Sequence, residues 1–322
     1  MRSGSAEHEH AMVRAAELYY NDGLLQSDVA DKLRVSRWKV GRLLEEARQS
    51  GLVEIKIHHP HSRRRDLEQR LTSRFDLPEA VVVESQPTNA ATMDLVGQAA
   101  ADYLLEMRPG PDIIGVSWGH TLAAIAECLP EGAFNRPTIV QLNGGASSLR
   151  DTVDAGSIIR MIAGKSRDPR TALLPASAIV QDRELAHRLR ADRQVAGTLH
   201  LAGRADVAVY SIGVLSPQSV LVTTDCITAD ELVELSGAGA IGDILGHFID
   251  RFGRVVDFEL DQRTIGLGLE ALARVPRSIA VAVGEEKSEM TRAVLYAGLC
   301  TVLVTESNIA QQILDDVPEG HE

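Results

Sequence analysis

Between His8 and Asn21 the apolar residues Met12, Ala15, Ala16 and Tyr19 recur at helical spacing, and Asp22-Gly23 ends the run. A second amphipathic pattern occupies "QSDVADKLRVSRWKVGRLLE", Gln26 to Glu45, and "LVEIKI" (52–57) then alternates as a short strand. The polar stretch "HHPHSRRRD" (58–66) carries a proline and three consecutive arginines and has no period, so it reads as a linker. His58, His59 and His61 have no matching carboxylates or thiols nearby, which favours a solvated hinge over a metal site. From residue 67 the grammar changes. A helical segment (67–75) precedes the β-branched runs "AVVVES", "DIIGVSW", "PTIVQLN", "ALLPASAIV", "DVAVYSIGV", "VVDFEL", "SIAVAVG" and "TVLVTE". Helical stretches such as "DLVGQAAADYLLEM" and "EMTRAVLYAGL" separate most of them. Alternating strands and helices predict an α/β fold with a largely parallel sheet covered on both faces. Such sheets bind ligands at the carboxyl ends of their strands. The expected organisation is a small domain over 1–57, a linker over 58–66 and a large domain over 67–322.

The pattern from Gln26 onward fits a helix-turn-helix. Val29, Leu33, Val35, Val40 and Leu43 fall where two crossed helices bury side chains, and Ala30 sits where they approach most closely. Ser36 is placed to cap the second helix. Arg34 occupies the turn position where glycine is usual, so a differently shaped turn is expected there. On a helical wheel Val40, Leu43, Leu44 and Ala47 face inward, while Trp38, Gly41, Arg42, Glu45 and Gln49 face outward, flanked by Arg37 and Lys39. Placed in a major groove, Arg42 can read guanine with its planar fork, and Arg37 and Lys39 suit phosphates. Trp38 suits a thymine methyl or a sugar, and Gly41 leaves room for the DNA backbone. The plain alternative is an amphipathic helix pair with a solvated basic face. Against it stand the full match and the following strand at the place of a wing.

Charge changes this picture in one respect. The net charge is −12, yet the first 65 residues are net basic, so the acidity belongs to the remainder of the chain. A basic head on an acidic body suits a polyanion at the head alone. Hydrophobic content of 44% and charged content of 24% are those of an ordinary globular protein, and aromatics at 4% leave an aliphatic core. No apolar run reaches the roughly 18 residues of a membrane helix, and no signal-peptide pattern opens the chain. Cys128, Cys226 and Cys300 are odd in number and far apart, which suits buried thiols in a reducing cytoplasm.

Taken in order and spacing, "SRWKVGRLLEEARQSGLVEIKI", "GVSWGHTL", "NGG", "GAIGDILGHF", "TIGLGLEAL" and "GEEKSEMTRAVLYAGLCTVLVTE" resemble the SorC-type bacterial transcriptional regulators of sugar catabolism, over roughly residues 12–316. The resemblance implies a winged helix-turn-helix joined to a sugar-binding domain similar in fold to sugar-phosphate isomerases and deaminases. It also implies tetramers and a phosphorylated sugar or polyol as effector. The residues fit that expectation. Ser117, Gly119, His120 and Thr121 form a strand–glycine–helix junction whose amides can seat an anion. Asn143, Gly144 and Gly145 form a second junction, and Lys287 in "GEEK" offers a positive charge. Asp243 in "GAIGD" can grip hydroxyls, although a tight loop with a helix cap is the plain reading. Some relatives carry a basic residue where this chain has Asn143, and a lysine there forms a Schiff base with an aldehyde sugar. Asn143 cannot, so non-covalent binding and no bisphosphate are expected. No cofactor, metal or membrane partner is expected. Two other classes stay open: a sugar-phosphate isomerase or deaminase using Asp243 and His120 as an acid–base pair, and a binding domain on a protein-contact module.

Overall fold

Met12, Ala15, Leu18, Val29, Ala30, Val40, Leu43, Leu44 and Ala47 are buried together, and their spacing sets the first folded unit. The computed structural model describes residues 3–53, 63–146 and 155–315. The chain divides into two units, 1–58 and 59–322. In the first, helix α1 (Ser3–Ala16) runs on as a π-helical turn (Glu17–Asn21), followed by α2 (Gln26–Leu33) and α3 (Arg37–Gln49). Ser36 caps α3, its Oγ accepting from the Lys39 amide at 3.2 Å. Arg34 corrects one expectation. The turn keeps the shape that glycine normally supplies, because Arg34 itself takes the left-handed conformation (φ 52°, ψ 46°) and its amide donates to Ala30 and Asp31. Of the strand expected over 52–57, residues 54–57 lie outside the described residues; the Val53 amide donates to the Ala47 carbonyl at 3.0 Å.

The second unit begins earlier than the sequence suggests. Residues 58–62 lie outside the described residues, but Arg63 already pairs with Val83 in an antiparallel bridge, and helix α4 spans Arg65–Phe75. Arg63 Nε lies 2.7 Å from Glu68 Oε1, and that oxygen also accepts from the Val82 amide at 3.0 Å. The buried Glu68 carboxylate thereby ties the incoming chain to the sheet edge.

Seven strands form one parallel sheet: β1 (Glu79–Val83), β2 (Ile113–Val116), β3 (Thr138–Gln141), β4 (Arg170–Ala172), β5 (Val207–Ser211), β9 (Arg277–Val281) and β10 (Val302–Glu306). Their order is β1-β10-β9-β5-β2-β3-β4. β6 (Gly213–Val214), β7 (Gly242–Ile244) and β8 (His247–Ile249) form a separate antiparallel sheet. Strand alternation sends Val207 and Val209 to one face, with Ile279, Val281 and Val304, and Ala208 and Tyr210 to the other, with Ala280, Ala282 and Leu303. Both faces are covered, as long runs of Val and Ile in parallel strands require. Helices α5 (Asn89–Glu106) and α6 (His120–Cys128) pack on the first of these faces.

Two strand-like runs behave otherwise. "ALLPASAIV" supplies only the end of β4 and then isolated bridges, Ser177 with Gly145 and Ile179 with Thr264, because Pro175 interrupts the donor ladder. "VVDFEL" forms no strand, and its second half opens a helix (Phe258–Arg263), since the Asp257 carboxylate accepts from the Glu259 and Leu260 amides at 2.9 and 3.0 Å. "GAIGD", whose plain reading is a tight loop with a helix cap, instead leads into the β7–β8 hairpin, which turns through Leu245 (φ 55°) and Gly246 (φ 90°). Positive φ at both turn residues is what a two-residue hairpin of this type needs.

Candidate functional site

Arg37, Trp38, Lys39 and Arg42 all lie exposed on α3, and Trp38 keeps 71% of its surface in solvent. An aromatic exposed this far, among basic neighbours, is available to a partner surface. A Cβ added at Gly41 would meet nothing within 4 Å, so the middle of this face is a shallow floor. Gln26 and Glu45 join Arg37, Trp38 and Arg42 around it. The Ser36 hydroxyl oxygen is engaged as the helix cap. Arg42 stacks on Trp38, its guanidinium carbon 5.1 Å from the ring centroid. Gln26 and Glu46 were not singled out from the sequence; the outward wheel positions found Glu45 but could not show which neighbours hold Arg42.

In the second unit the polar residues gather at the carboxyl ends of the strands. After β2, Ser117 is buried, Gly119 caps α6 with φ 130°, Thr121 is buried and His120 is exposed. That φ suits glycine, and a Cβ there would stand 3.1 Å from Ser211 Oγ. The Gly119 carbonyl accepts from the Leu122 and Ala123 amides at 3.1 Å each, while the first-turn amides of His120 and Thr121 have no partner among the described residues. Trp118 Nε1 donates to the Gly144 carbonyl at 3.0 Å, stapling this junction to the end of β3.

The Asn143–Gly145 segment departs from expectation. It is not a second seat of free amides, because Gly144 donates to Ile265 at 2.7 Å and Gly145 to Ala176 at 2.8 Å. The Asn143 side chain is what remains available: it is 1% exposed, and its buried Oδ1 has no hydrogen-bond partner. An unpaired acceptor at such depth costs free energy unless a ligand or water meets it.

Asp243, on β7, is buried, and its Oδ2 accepts from the Gly246 amide at 3.0 Å. Gly213 is required beneath it, since a Cβ there would fall 2.2 Å from Asp243 Oδ1. Burial pushes the Asp243 carboxyl up to about 6, although the Gly246 N–H, His247 and Lys287 pull the other way. Lys287 closes the turn Glu285–Lys287 after β9, and burial lowers its amine, against the pull of Glu286 and Asp243. Its Nζ has no hydrogen bond or ion pair among the described residues. Ser211 touches the Gly119 junction and donates to the Trp118 carbonyl at 3.4 Å, and Gly213, two residues on, underlies Asp243. The stretch from Ser211 to Gly213 thus joins the Ser117–Thr121 and Asn143 cluster to the Asp243–Lys287 cluster. Ser211 has no sequence motif of its own, and Trp118, though inside "GVSWGHTL", has no site role in the sequence reading.

A further pair also escaped it. His247 Nδ1 lies 2.5 Å from Asp261 Oδ1, and its buried Nε2 has no partner. Among the described residues no three His, Cys, Asp or Glu side chains are arranged to hold a metal ion, and no helix is long and apolar enough to cross a membrane.

Residues 59–315 match the family model "Putative sugar-binding domain". Among curated proteins, the chain is 31% identical over 313 residues to the transcriptional regulator LsrR of Enterobacter sp. (strain 638), covering 95% of this chain and 93% of that one. It is 28% identical over 312 residues to the deoxyribonucleoside regulator of Bacillus subtilis (strain 168), covering 97% and 99%. Among solved structures, the full-length sorbitol operon regulator SorC of Klebsiella pneumoniae superposes with a TM-score of 0.72 at 26% identity, over 95% of this chain and 98% of that one. With a regulator's helix-turn-helix at one end and this domain over the rest, the chain belongs to the SorC-type family of transcriptional regulators that carry a sugar-binding domain.

Proposed function

We propose that this regulator binds operator DNA through Arg37, Trp38, Lys39 and Arg42, on a helix capped by Ser36, and that a sugar or polyol monophosphate controls that binding. The effector seat consists of Ser117, Gly119, His120 and Thr121, with Asn143, Asp243 and Lys287 around it. The observation that carries the reading is Lys287, an ammonium drawn partly out of water whose Nζ has no ion pair or hydrogen bond among the described residues. A buried charge without a partner is costly, and a phosphate beside the open amides of α6 supplies that partner. Asp243 and the Asn143 Oδ1 then accept from hydroxyls. The relatives' names support a carbohydrate: they refer to a deoxyribonucleoside and to a sorbitol operon. The protein works as a cytoplasmic homotetramer, and the chain passes from the DNA-binding to the effector domain through a linker within 58–66.

Asp243 at about 6 also has the proton affinity of a general base. Among the described residues its hydrogen-bond partner is the Gly246 amide, and His247 is engaged by Asp261, so no acid–base pair is assembled around it. The reading is therefore a binding protein without turnover. The test is a thermal-shift series on the full chain with inorganic phosphate, free pentoses, hexoses and polyols, and their monophosphates. Monophosphates are expected to raise Tm, since a ligand of the folded state stabilises by mass action. Lys287→Gln is expected to abolish that shift and to leave ligand-free stability within about 1 kcal/mol of wild type. An equal shift with free polyols, or an undiminished one in Lys287→Gln, overturns the phosphate seat.

A further inference from the structure

Glu46, one turn beyond Arg42 on α3, has both carboxylate oxygens occupied. Oε1 accepts from Arg42 Nη2 at 3.0 Å and Nε at 3.4 Å. Oε2 lies 2.6 Å from His8 Nε2, contributed by α1. On its other side Arg42 stacks over Trp38 at 5.1 Å. Trp38, Arg42 and Glu46 follow one another at i, i+4 spacing, where helix side chains meet. The hydrogen bonds from Arg42 and His8 also hold the Glu46 carboxyl below its ordinary range, so it is ionised when DNA is bound at neutral pH.

Which edge of the guanidinium Glu46 uses decides what the arrangement can do. Nε and Nη2 form its side edge. With that edge on Glu46, the outer edge, Nη1 with the second N–H of Nη2, remains for another bidentate partner. Guanine O6 and N7 match such a fork. A solvent-exposed arginine otherwise samples many rotamers, and ordering it costs affinity when DNA arrives. A side chain held by a stack on one flank and a carboxylate on the other has met most of that cost before binding.

We propose that Glu46, itself steadied by His8, is a positioning residue that fixes Arg42 for reading one guanine in the operator. The inference rests on the DNA-binding reading of α3. It assigns specificity to a residue that carries the wrong charge for affinity. Glu46 repels phosphate and yet sharpens sequence choice, so its removal should move affinity and specificity in opposite directions.

The experiment is selection from a randomised duplex library by the full chain, wild type and Glu46→Ala, Glu46→Gln, His8→Gln and Arg42→Ala, with affinities then measured on the selected duplex and on single-base variants. Wild type is expected to select a motif containing a guanine whose replacement weakens binding, and Arg42→Ala to lose preference at that base pair. Glu46→Ala is expected to reduce discrimination there about tenfold, to keep the other positions, and to bind non-specific duplex more tightly at low salt. Glu46→Gln, whose amide oxygen still accepts from Arg42, is expected to restore most of the discrimination without restoring the repulsion. His8→Gln, which keeps a donor, should resemble wild type. A purely structural role would alter Tm and all positions alike. A guanine preference that survives undiminished in Glu46→Ala, or a gain of specific affinity there, overturns the proposal and leaves Arg42 as reader. Absence of any motif with wild type removes the DNA-reading role of α3 and this inference with it.

Discussion

The side chains proposed to meet DNA lie within two turns of one helix and stand in solvent, whereas the proposed effector seat draws on the ends of β2, β3, β5 and β9 and on a hairpin, and is largely buried. On α3 the working residues have no packing duty, and the core is supplied by Val40, Leu43, Leu44 and Ala47 on the opposite side. In the strand-end site the same residues serve both purposes. Asp243 is a strand residue of a sheet, and the Asn143 carbonyl accepts from Gln141 Nε2 at 2.7 Å. Substitutions in the two regions should therefore fail differently: on α3 they change binding and spare stability, and at the buried strand residues of the seat, such as Asp243, they move both.

The largest effect is expected at Asp243. Its carboxyl is raised from an ordinary 3.8 to about 6 by burial. The folded state therefore holds a proton between those values that the unfolded chain has released, and stability falls as pH rises across that window. Above about pH 6 the whole cost is present, roughly 3 kcal/mol at 1.36 kcal/mol per pH unit. Asp243→Asn keeps an oxygen for the Gly246 amide and removes the charge. Without effector it should be the more stable protein at pH 8 by up to about 3 kcal/mol, and the two should converge below pH 4. Denaturant unfolding at pH 4, 6 and 8 measures this; a constant difference across pH would mean that Asp243 is not held in a desolvated state. The same variant should lose the effector response, since removing a strained polar group from a site commonly trades function for stability.

Arg42→Ala is the counterpart on α3. It should cost about 1–3 kcal/mol in discrimination at one base pair and leave Tm close to wild type, because the side chain is exposed. Lys39→Ala should weaken all duplexes alike and make the salt dependence shallower by about one counterion. Loss confined to one sequence in Lys39→Ala would reverse the assigned faces.

The same contrast explains what was legible in the sequence. Helical periodicity alone separates the two faces of α3, because an exposed helix repeats every 3.6 residues and nothing else shapes it. The parallel sheet was likewise visible in its Val and Ile runs. The hairpin carrying Asp243 was not, because its strands are short and its turn uses Leu245 at φ 55°, a residue with no turn signature. "VVDFEL" misled for the converse reason, since Asp257 starts a helix inside a β-branched run. Trp118 and Ser211 became site residues only once the fold placed the ends of β2, β3 and β5 side by side. Contacts of that kind have no period in the chain.

Arg34 gives the smallest expected effect and sharpens the comparison from the other end. A left-handed conformation costs a non-glycine residue roughly 1–2 kcal/mol, and glycine gives back about 0.4–1 kcal/mol through its freer unfolded chain. Arg34→Gly should therefore stabilise the first unit by between about 0 and 1.6 kcal/mol. The Arg34 side chain is exposed and makes no ion pair among the described residues, so little packing is lost with it. If the arginine is there only because the turn tolerates it, Arg34→Gly will gain stability and bind DNA unchanged, even at low salt. If affinity falls for every duplex while stability rises, Arg34 is a phosphate contact kept at the expense of backbone strain. The turn between the helices would then belong to the DNA-binding surface along with α3.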